Sequence, residues 1–278
     1  MRTVCMLIFC AVLAVPWAAA GDKEKATEKP QQLEGEGGVE LTSSYVWRGE
    51  VVNDEACFQP CIEFGLGDAL LRLWGTWDLR NTSNSSARTR MDATLAYDFV
   101  SENKDYILRP ALIAYVYNDD YRGRARDTFE IALLYFWRIP YADGRLLVPQ
   151  ASLYYDFSDI EGVYAALGLR HAAELVKDKM DLEIRANVGW GDRKYVEATF
   201  SLPKHERDEE NRTYTADKSA FLDFTVAISL PMIINERFTL TPGLKYMHLL
   251  DSGIRSALDD YGLETDNFGG SLTAGYKF

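Results

Sequence analysis

Apolar and polar residues alternate along most of the chain with a period of two, from residue 39 onwards. Between residues 179 and 190, every even position is apolar, whereas Asp181, Glu183, Arg185 and Asn187 occupy odd positions. Successive side chains of a β-strand point to opposite faces, so this pattern predicts a strand with one apolar and one polar face. A helix would repeat its apolar residues every 3.6 positions, so the spacing excludes a helix bundle.

The same alternation predicts about twelve strands. They cover residues 39–48, 56–66, 69–79, 89–99, 106–117, 127–138, 146–157, 162–172, 179–190, 220–230, 236–248 and 267–278. The long polar stretches 191–218 and 249–266 are interpreted as loops. An even number of strands closes into an antiparallel barrel with both termini at one end, the periplasmic end in bacterial outer-membrane barrels. The predicted fold class is therefore all-β, an antiparallel transmembrane β-barrel.

The face opposite the apolar one is rich in ionisable side chains, and these are the candidate pore-lining residues. They are Arg48, Glu63, Arg72, Asp92, Arg109, Glu130, Arg170, Glu183, Arg185, Asp223 and Lys245. A packed soluble core could not hold so many charges, since each unpaired one costs several kcal/mol. The charged face is therefore expected to be wet or internally paired, and the apolar face to meet lipid.

The segment Asn267–Phe278 alternates to its last residue and is expected to close the barrel. Ser271, Tyr276 and the terminal Phe278 resemble the signal that barrel-assembly machinery reads in outer-membrane proteins, although Thr273 stands where that pattern usually has Gly. The sequence therefore predicts the assembly machinery as a partner, together with outer-membrane lipid and lipopolysaccharide.

The amino-terminal part predicts export. Residues 1–20 combine Arg2, an apolar core and a small-residue site at Ala18–Ala20, which is typical of a cleaved signal peptide. Residues 21–38 are charged and contain Pro and Gly, so we interpret them as a periplasmic tether. The barrel is assigned to residues 39–278 and the protein to the bacterial outer membrane.

The amino-acid composition argues against a nucleic-acid-binding protein and is consistent with a membrane barrel. The formal net charge of −12 argues against nucleic acid as a partner, and 20 Gly with 16 Tyr suit a barrel with aromatic girdles. Cys57 and Cys61 are expected to be free or weakly bridged thiols. Four residues of strand separate them by about 13 Å, so they can form a disulfide only if the chain bends at Pro60 or in a loop. No cofactor or metal ligand set is predicted, although the acidic run 205–210 is either a cation site or simply solvated.

One constellation hints at catalysis. His248 is predicted on the lipid-facing register with Asp251 and Ser252 nearby, as a lipid-modifying barrel enzyme would require. The alternative is a histidine at the membrane interface beside an aromatic girdle. We adopt that alternative and predict that the protein is not an enzyme.

Several segments resemble a known family. The chain resembles small bacterial outer-membrane porins of the TorF type and their relatives at Tyr45–Gly49, at Leu230-Pro231, at Phe238–Tyr246, and at Asp266-Asn267-Phe268 leading to Phe278. The resemblance implies a barrel of this size and a channel role.

Together these features predict a non-specific channel for small hydrophilic solutes. The stretches 191–218 and 249–266 are rich in Asp and Glu. Acid at the outer mouth would concentrate cations, which predicts a mild cation preference that fades at high salt. The alternative left open is a closed structural or adhesive barrel whose lumenal charges pair with one another.

Overall fold

A computed structural model of the protein describes residues 33–79, 90–117, 127–142, 145–202 and 214–278. Its strands are β1 (Leu33–Thr42), β2 (Tyr45–Trp47), β3 (Glu50–Asn53), β4 (Cys57–Leu66), β5 (Ala69–Asp78), β6 (Arg90–Tyr97), β7 (Phe99–Val100), β8 (Tyr106–Tyr117), β9 (Thr128–Trp137), β10 (Ile139–Ala142), β11 (Arg145–Asp156), β12 (Val163–Val176), β13 (Met180–Gly191), β14 (Ala220–Ser229), β15 (Met232–Ile233), β16 (Phe238–Leu249) and β17 (Asp266–Lys277). Its helices are α1 (Arg193–Phe200) and α2 (Ser252–Asp260).

Twelve of these strands form a closed antiparallel barrel, as the sequence predicted. Their order around the wall is β1, β4, β5, β6, β8, β9, β11, β12, β13, β14, β16 and β17. Each pairs with its neighbour in chain order, and β17 returns to pair with β1 from Lys277↔Glu36 to Ser271↔Thr42. Because the circle is complete, every wall strand has a partner on both sides.

The two faces of the wall follow the predicted register. Apolar side chains at alternate positions point outward and are well exposed, including Leu112 (54%), Leu167 (69%) and Phe268 (70%). Inward positions hold charged residues such as Glu130, which is only 2% exposed. An apolar exterior around a charged interior is the arrangement of a barrel that sits in lipid.

The two ends of the barrel differ. Residues 33 and 278 lie at the end that carries the short connections, such as the turn at Gly67, and we call it the turn end. The opposite end, the loop end, carries the hairpin β2–β3 and both helices. The predicted periplasmic location of the turn end remains a prediction.

The first barrel strand starts earlier than the sequence suggested. The composition of residues 21–38 predicts a tether, but β1 begins at Leu33 and pairs with β4 along its whole length. The prediction is corrected because the backbone pairing of this segment outweighs its polar composition: a barrel cannot leave backbone groups unpaired beside lipid. Residues 1–32, including the predicted signal peptide, lie outside the described residues.

The predicted strand 39–48 is also shorter than expected at its other end. β1 stops at Thr42, and β2 and β3 form a separate two-stranded hairpin. Arg48 and Gly49 form its turn with positive φ values of 49° and 85°. In the predicted strand, Tyr45 and Trp47 alternate with Arg48 and so fall on the apolar, lipid-facing side. In the structure they belong to a segment that leaves the wall.

Part of each predicted loop is helical. In α1, Asp192 caps the first turn by accepting a hydrogen bond from the Tyr195 amide at 2.8 Å, and in α2 Asp251 accepts from two amides of its first turn. The predicted loops are corrected here because apolar residues at helical spacing, such as Ile254 and Leu258, pack into a small core at the loop end. The acidic run 205–210 lies outside the described residues. None of the helices in the described part of the chain is long and apolar enough to span a membrane.

Phe278 secures the seam between β17 and β1. Its amide donates to the Gly35 carbonyl at 3.0 Å, and its ring stands edge-on to Phe64 with the ring centroids 6.0 Å apart. The ring lies directly against Gly35, where a Cβ atom would overlap it. Ser271 and Tyr276 lie on the same strand, paired with Thr42 and Gly37 of β1.

We therefore expect Gly35→Val to lower the free energy of unfolding by about 1–3 kcal/mol, because the new side chain must displace the Phe278 ring. Gly65→Val is the matched control, since a side chain at Gly65 on the adjacent strand meets open space. Denaturant unfolding in detergent measures the free energy of unfolding of both variants. Equal losses from the two variants would contradict this packing.

Candidate functional site

The hairpin β2–β3 folds into the barrel lumen. Ser44, which leads into it, donates from Oγ to Asn267 Oδ1 at 2.7 Å, and Lys245 Nζ donates to the Val46 carbonyl at 3.5 Å. The ring of Tyr45 lies 5.5 Å from that of Trp74 on the opposite side of the hairpin. The hairpin thus contacts inward side chains from both sides of the lumen and occupies the half near the loop end.

Arg48 at the hairpin turn is bound to the wall by a buried ion pair. Its two terminal nitrogens donate to the two carboxylate oxygens of Glu130 at 2.7 and 2.8 Å. Tyr115 donates its hydroxyl to the same carboxylate at 2.6 Å. The side chains of Arg48 and Glu130 are only 7% and 2% exposed. A two-point, charge-assisted contact of this kind is strong and geometrically specific.

Aromatic rings surround this guanidinium. The Cζ atom of Arg48 lies 4.1 Å from the ring centre of Tyr154, 4.4 Å from that of Trp47 and 4.7 Å from that of Tyr164. The negative faces of aromatic rings attract a cation most strongly where water is excluded. Tyr195 of α1 also approaches Arg48, and burial raises the pKa of Tyr195 above its ordinary value. The rings therefore compensate part of the cost of burying Arg48.

A second arginine, Arg90 of the wall strand β6, packs against the same part of the hairpin. Arg90 donates to both carboxylate oxygens of Asp92 at 2.7 Å, and its Cζ atom lies 4.2 Å from the Trp47 ring and 4.5 Å from the Tyr115 ring. Trp47 therefore contacts two guanidinium groups. We call the group formed by Trp47, Arg48, Arg90, Asp92 and Glu130 the latch.

Sequence reasoning identified three members of the latch, Arg48, Asp92 and Glu130. It missed Arg90, which shares the inward face of β6 with Asp92 two residues away, and that spacing could have revealed it. It also assigned Trp47 to the lipid face. No local pattern could correct that assignment, because a strand in the wall and a hairpin in the lumen share the same alternation.

Asp223 belongs to the same half of the lumen. It accepts hydrogen bonds from the Tyr164 hydroxyl at 3.0 Å and from the Thr225 hydroxyl at 3.3 Å. Gly189 lies against both Tyr164 and Asp223, leaving no room for a side chain there. This carboxylate is therefore a packed part of the wall behind the hairpin and does not line an open passage.

The half of the lumen near the turn end is more exposed, and we call it the vestibule. Its residues are Glu63, Arg72, Arg109, Arg170, Glu183 and Arg185, all predicted from the sequence. Arg109 pairs with Asp98 at 2.5 Å and Arg185 pairs with Glu183 at 2.7 Å. Arg185 remains 53% exposed and Arg170 34% exposed. The lumen is thus dry and packed around the latch but wet and charged in the vestibule.

Lys245 lies between the two regions. It reaches the Val46 carbonyl of the hairpin and faces Glu40 of β1.

One of the two cysteines contacts an arginine of the vestibule: Arg72 donates from Nε to the Cys61 sulfur at 3.2 Å. Cys57 and Cys61 are not joined in a disulfide.

The structure does not build the catalytic constellation considered for His248. Its Nδ1 lies 2.6 Å from Asp266 Oδ1, and its Nε2 faces Arg255 Nη1 at 3.1 Å. Asp251 instead caps α2 and accepts from Lys218 at 2.6 Å. The predicted grouping of His248 with Asp251 and Ser252 is corrected, because formation of α2 commits Asp251 to the helix cap. Among the described residues, no group of three or more His, Cys, Asp or Glu is placed to hold a metal.

The closed barrel, the apolar exterior and the charged lumen define a transmembrane barrel of the outer-membrane type. The chain belongs to the MipA family, because the family described as MltA-interacting protein MipA matches residues 37–278. The resemblance to TorF-type porins, which is more specific, remains a prediction. No curated protein sequence matches the chain.

Solved structures share this fold at low sequence identity. The COG4313 outer membrane channel from Pseudomonas putida F1 has a TM-score of 0.53 and 11% identity, covering 92% of this chain and 100% of that chain. LpxR from Salmonella typhimurium has a TM-score of 0.53 and 9% identity, covering 87% of this chain and 100% of that chain. These likenesses establish the barrel fold.

We expect Glu130→Gln to cost about 3–5 kcal/mol of stability, because it leaves Arg48 charged and buried without its counter-ion. Glu161→Gln is the control. It breaks an ion pair with Lys194 whose two side chains are each 60% exposed, so no measurable change should follow. Denaturant unfolding in detergent distinguishes the two, and a loss no larger for Glu130→Gln than for the control would refute the role of the latch.

Proposed function

We propose that the protein is an outer-membrane channel for small hydrophilic solutes, with the latch as its narrowest part. The observation that carries the proposal is the exposed, charged vestibule. Arg170 and Arg185 keep substantial contact with solvent inside a barrel whose outside is apolar. A wet interior with both signs of charge suits polar solutes, whereas a purely structural barrel would gain more from an apolar or fully paired interior.

The direction of the barrel follows from its connections. Short turns face the periplasm in bacterial outer-membrane barrels and longer segments face outward. We therefore assign the turn end and the vestibule to the periplasmic side, and the loop end with both helices to the cell exterior. Solutes from outside would pass the latch before they reach the vestibule.

Acidic side chains at the loop end support a mild cation preference. Asp217, Asp259, Asp260 and Glu264 are exposed there. They would raise the local concentration of cations at the outer mouth, and salt would screen the effect over about 10 Å at 0.1 M. The vestibule carries both signs and should discriminate less between ions.

A closed barrel is the second candidate, because the hairpin and its aromatic contacts are packed inside the loop half of the lumen. Arg48 at its turn pairs with Glu130 of the wall, and Arg90 of the wall lies against its Trp47 ring. The family description names an interaction with MltA, so we extend this candidate to an anchoring role for that protein.

Planar-bilayer recordings decide between the candidates. The wild-type channel should give small conductance steps, and a variant with residues 45–53 replaced by a short Gly-Ser connection should give larger ones. Glu161→Gln, at the same end, should conduct like the wild type. A closed barrel predicts steps only from the shortened variant. No steps from any folded variant would refute the channel.

Reversal potentials under a salt gradient test the selectivity. We expect a cation preference at low ionic strength that shrinks as the salt concentration rises, and that is reduced in a variant with Asp259 and Asp260 changed to Asn. An anion preference at low salt would show instead that arginines dominate the narrowest point.

A further inference from the structure

The vestibule contains two arginines that share one carboxylate. Arg170 of β12 and Arg185 of β13 are direct cross-strand partners. Arg170 donates from one terminal nitrogen to Glu183 Oε1, and Arg185 donates to Glu183 Oε2 at 2.7 Å. Two positive charges and one negative charge leave this group with a net charge of +1.

One carboxylate does not neutralise the charges of Arg170 and Arg185, so a second anion beside them would be stabilising. Like charges directly opposite each other on neighbouring strands repel. Each guanidinium has five N–H donors, and Glu183 uses few of them. In the described part of the chain, Arg170 Nε is buried without a hydrogen-bond partner, and Arg185 is 53% exposed to the lumen. The exposed guanidinium of Arg185 therefore has donors available for a second carboxylate, and the group has a net positive charge that would attract one.

Neutral polar groups stand beside the arginines. Gln150 Nε2 donates to Asn187 Oδ1 at 2.9 Å, two residue pairs closer to the loop end and on the same face. Gly168 lies between these two amides, where a side chain would overlap both. The hydrogen bond leaves the oxygen of Gln150 and the nitrogen of Asn187 for other partners. The Gln150 oxygen can accept a hydrogen bond and the Asn187 nitrogen can donate one. Both can therefore bind hydroxyl groups of a solute that lies next to Arg170 and Arg185.

We propose that Arg170, Arg185, Gln150 and Asn187 form a binding site for small polyhydroxy carboxylates. Arg185 contacts the carboxylate of the solute, because its fork geometry matches two carboxylate oxygens. The two amides contact the hydroxyl groups. Glu183 holds both arginines in place and limits affinity, which suits a site that must also release its solute. The inference names a solute class for the proposed channel and so rests on that function.

Calorimetric titration of the folded, detergent-solubilised protein tests the site without requiring conduction. Sodium gluconate is the probe and glucose the uncharged comparison. Arg185→Gln should weaken gluconate binding about tenfold, the equivalent of one charge-assisted hydrogen bond. Glu183→Gln should strengthen it, because the local charge rises from +1 to +2. Glucose binding should be the same in all variants.

Arg193→Gln is the control, since Arg193 is an exposed arginine on α1 outside the vestibule. Heat-dependent gel mobility verifies that each variant is folded. If wild-type protein binds no gluconate, or if Arg185→Gln and Arg193→Gln bind it equally, the site is wrong even when bilayers show conductance. If gluconate binds as expected but no conductance appears, the channel proposal fails and the site stands.

Discussion

The whole architecture depends on the pairing of backbone groups in a solvent that cannot hydrogen-bond. Lipid offers no partner to an exposed N–H or C=O group, so a sheet in the membrane must close on itself. The pairing of β17 with β1 meets this requirement. Residues 33–38 belong to the paired wall strand despite their polar composition, because β4 pairs with β1 from Leu33 onwards. An even number of antiparallel strands then places both ends of the described barrel together. The connections that cannot join the wall collect at the loop end.

A closed barrel encloses a lumen, and that space must be filled by side chains, by an inserted segment or by water. A barrel of about eight strands can be filled by the side chains of its own wall, whereas a wider one needs additional material or water. This protein uses both. The hairpin β2–β3 fills the loop half, and the vestibule stays wet. The sequence between β1 and β4 is therefore an internal part of the barrel and not a surface connection.

The contrast between the two halves follows from the environment of their charges. Around the latch, Arg48 and Glu130 are buried, so each depends on the other and on the surrounding aromatic rings. In the vestibule, Arg170 and Arg185 reach solvent, where a charge costs little to keep unpaired. The first arrangement fixes a segment in place, and the second leaves charge available for a passing solute. The latch, which fixes the hairpin, and the vestibule, whose arginines are free to contact a solute, thus lie at different depths of the same lumen.

Local alternation in the sequence predicts the class of fold, the number of wall strands and the face that each residue of a wall strand occupies. These properties follow from a period of two, which local residues set. It also found most of the charged lumenal residues, since they share that register. Local alternation does not predict that Tyr45–Trp47 leaves the wall, that Asp251 caps a helix or that the lumen has a dry half and a wet half, because these features depend on long-range packing. The ion pair between Arg48 and Glu130 joins residues 82 positions apart. Alternation says which face of a strand a residue occupies. Whether that strand stays in the wall depends on the space inside the closed barrel and on partners that are distant in the chain.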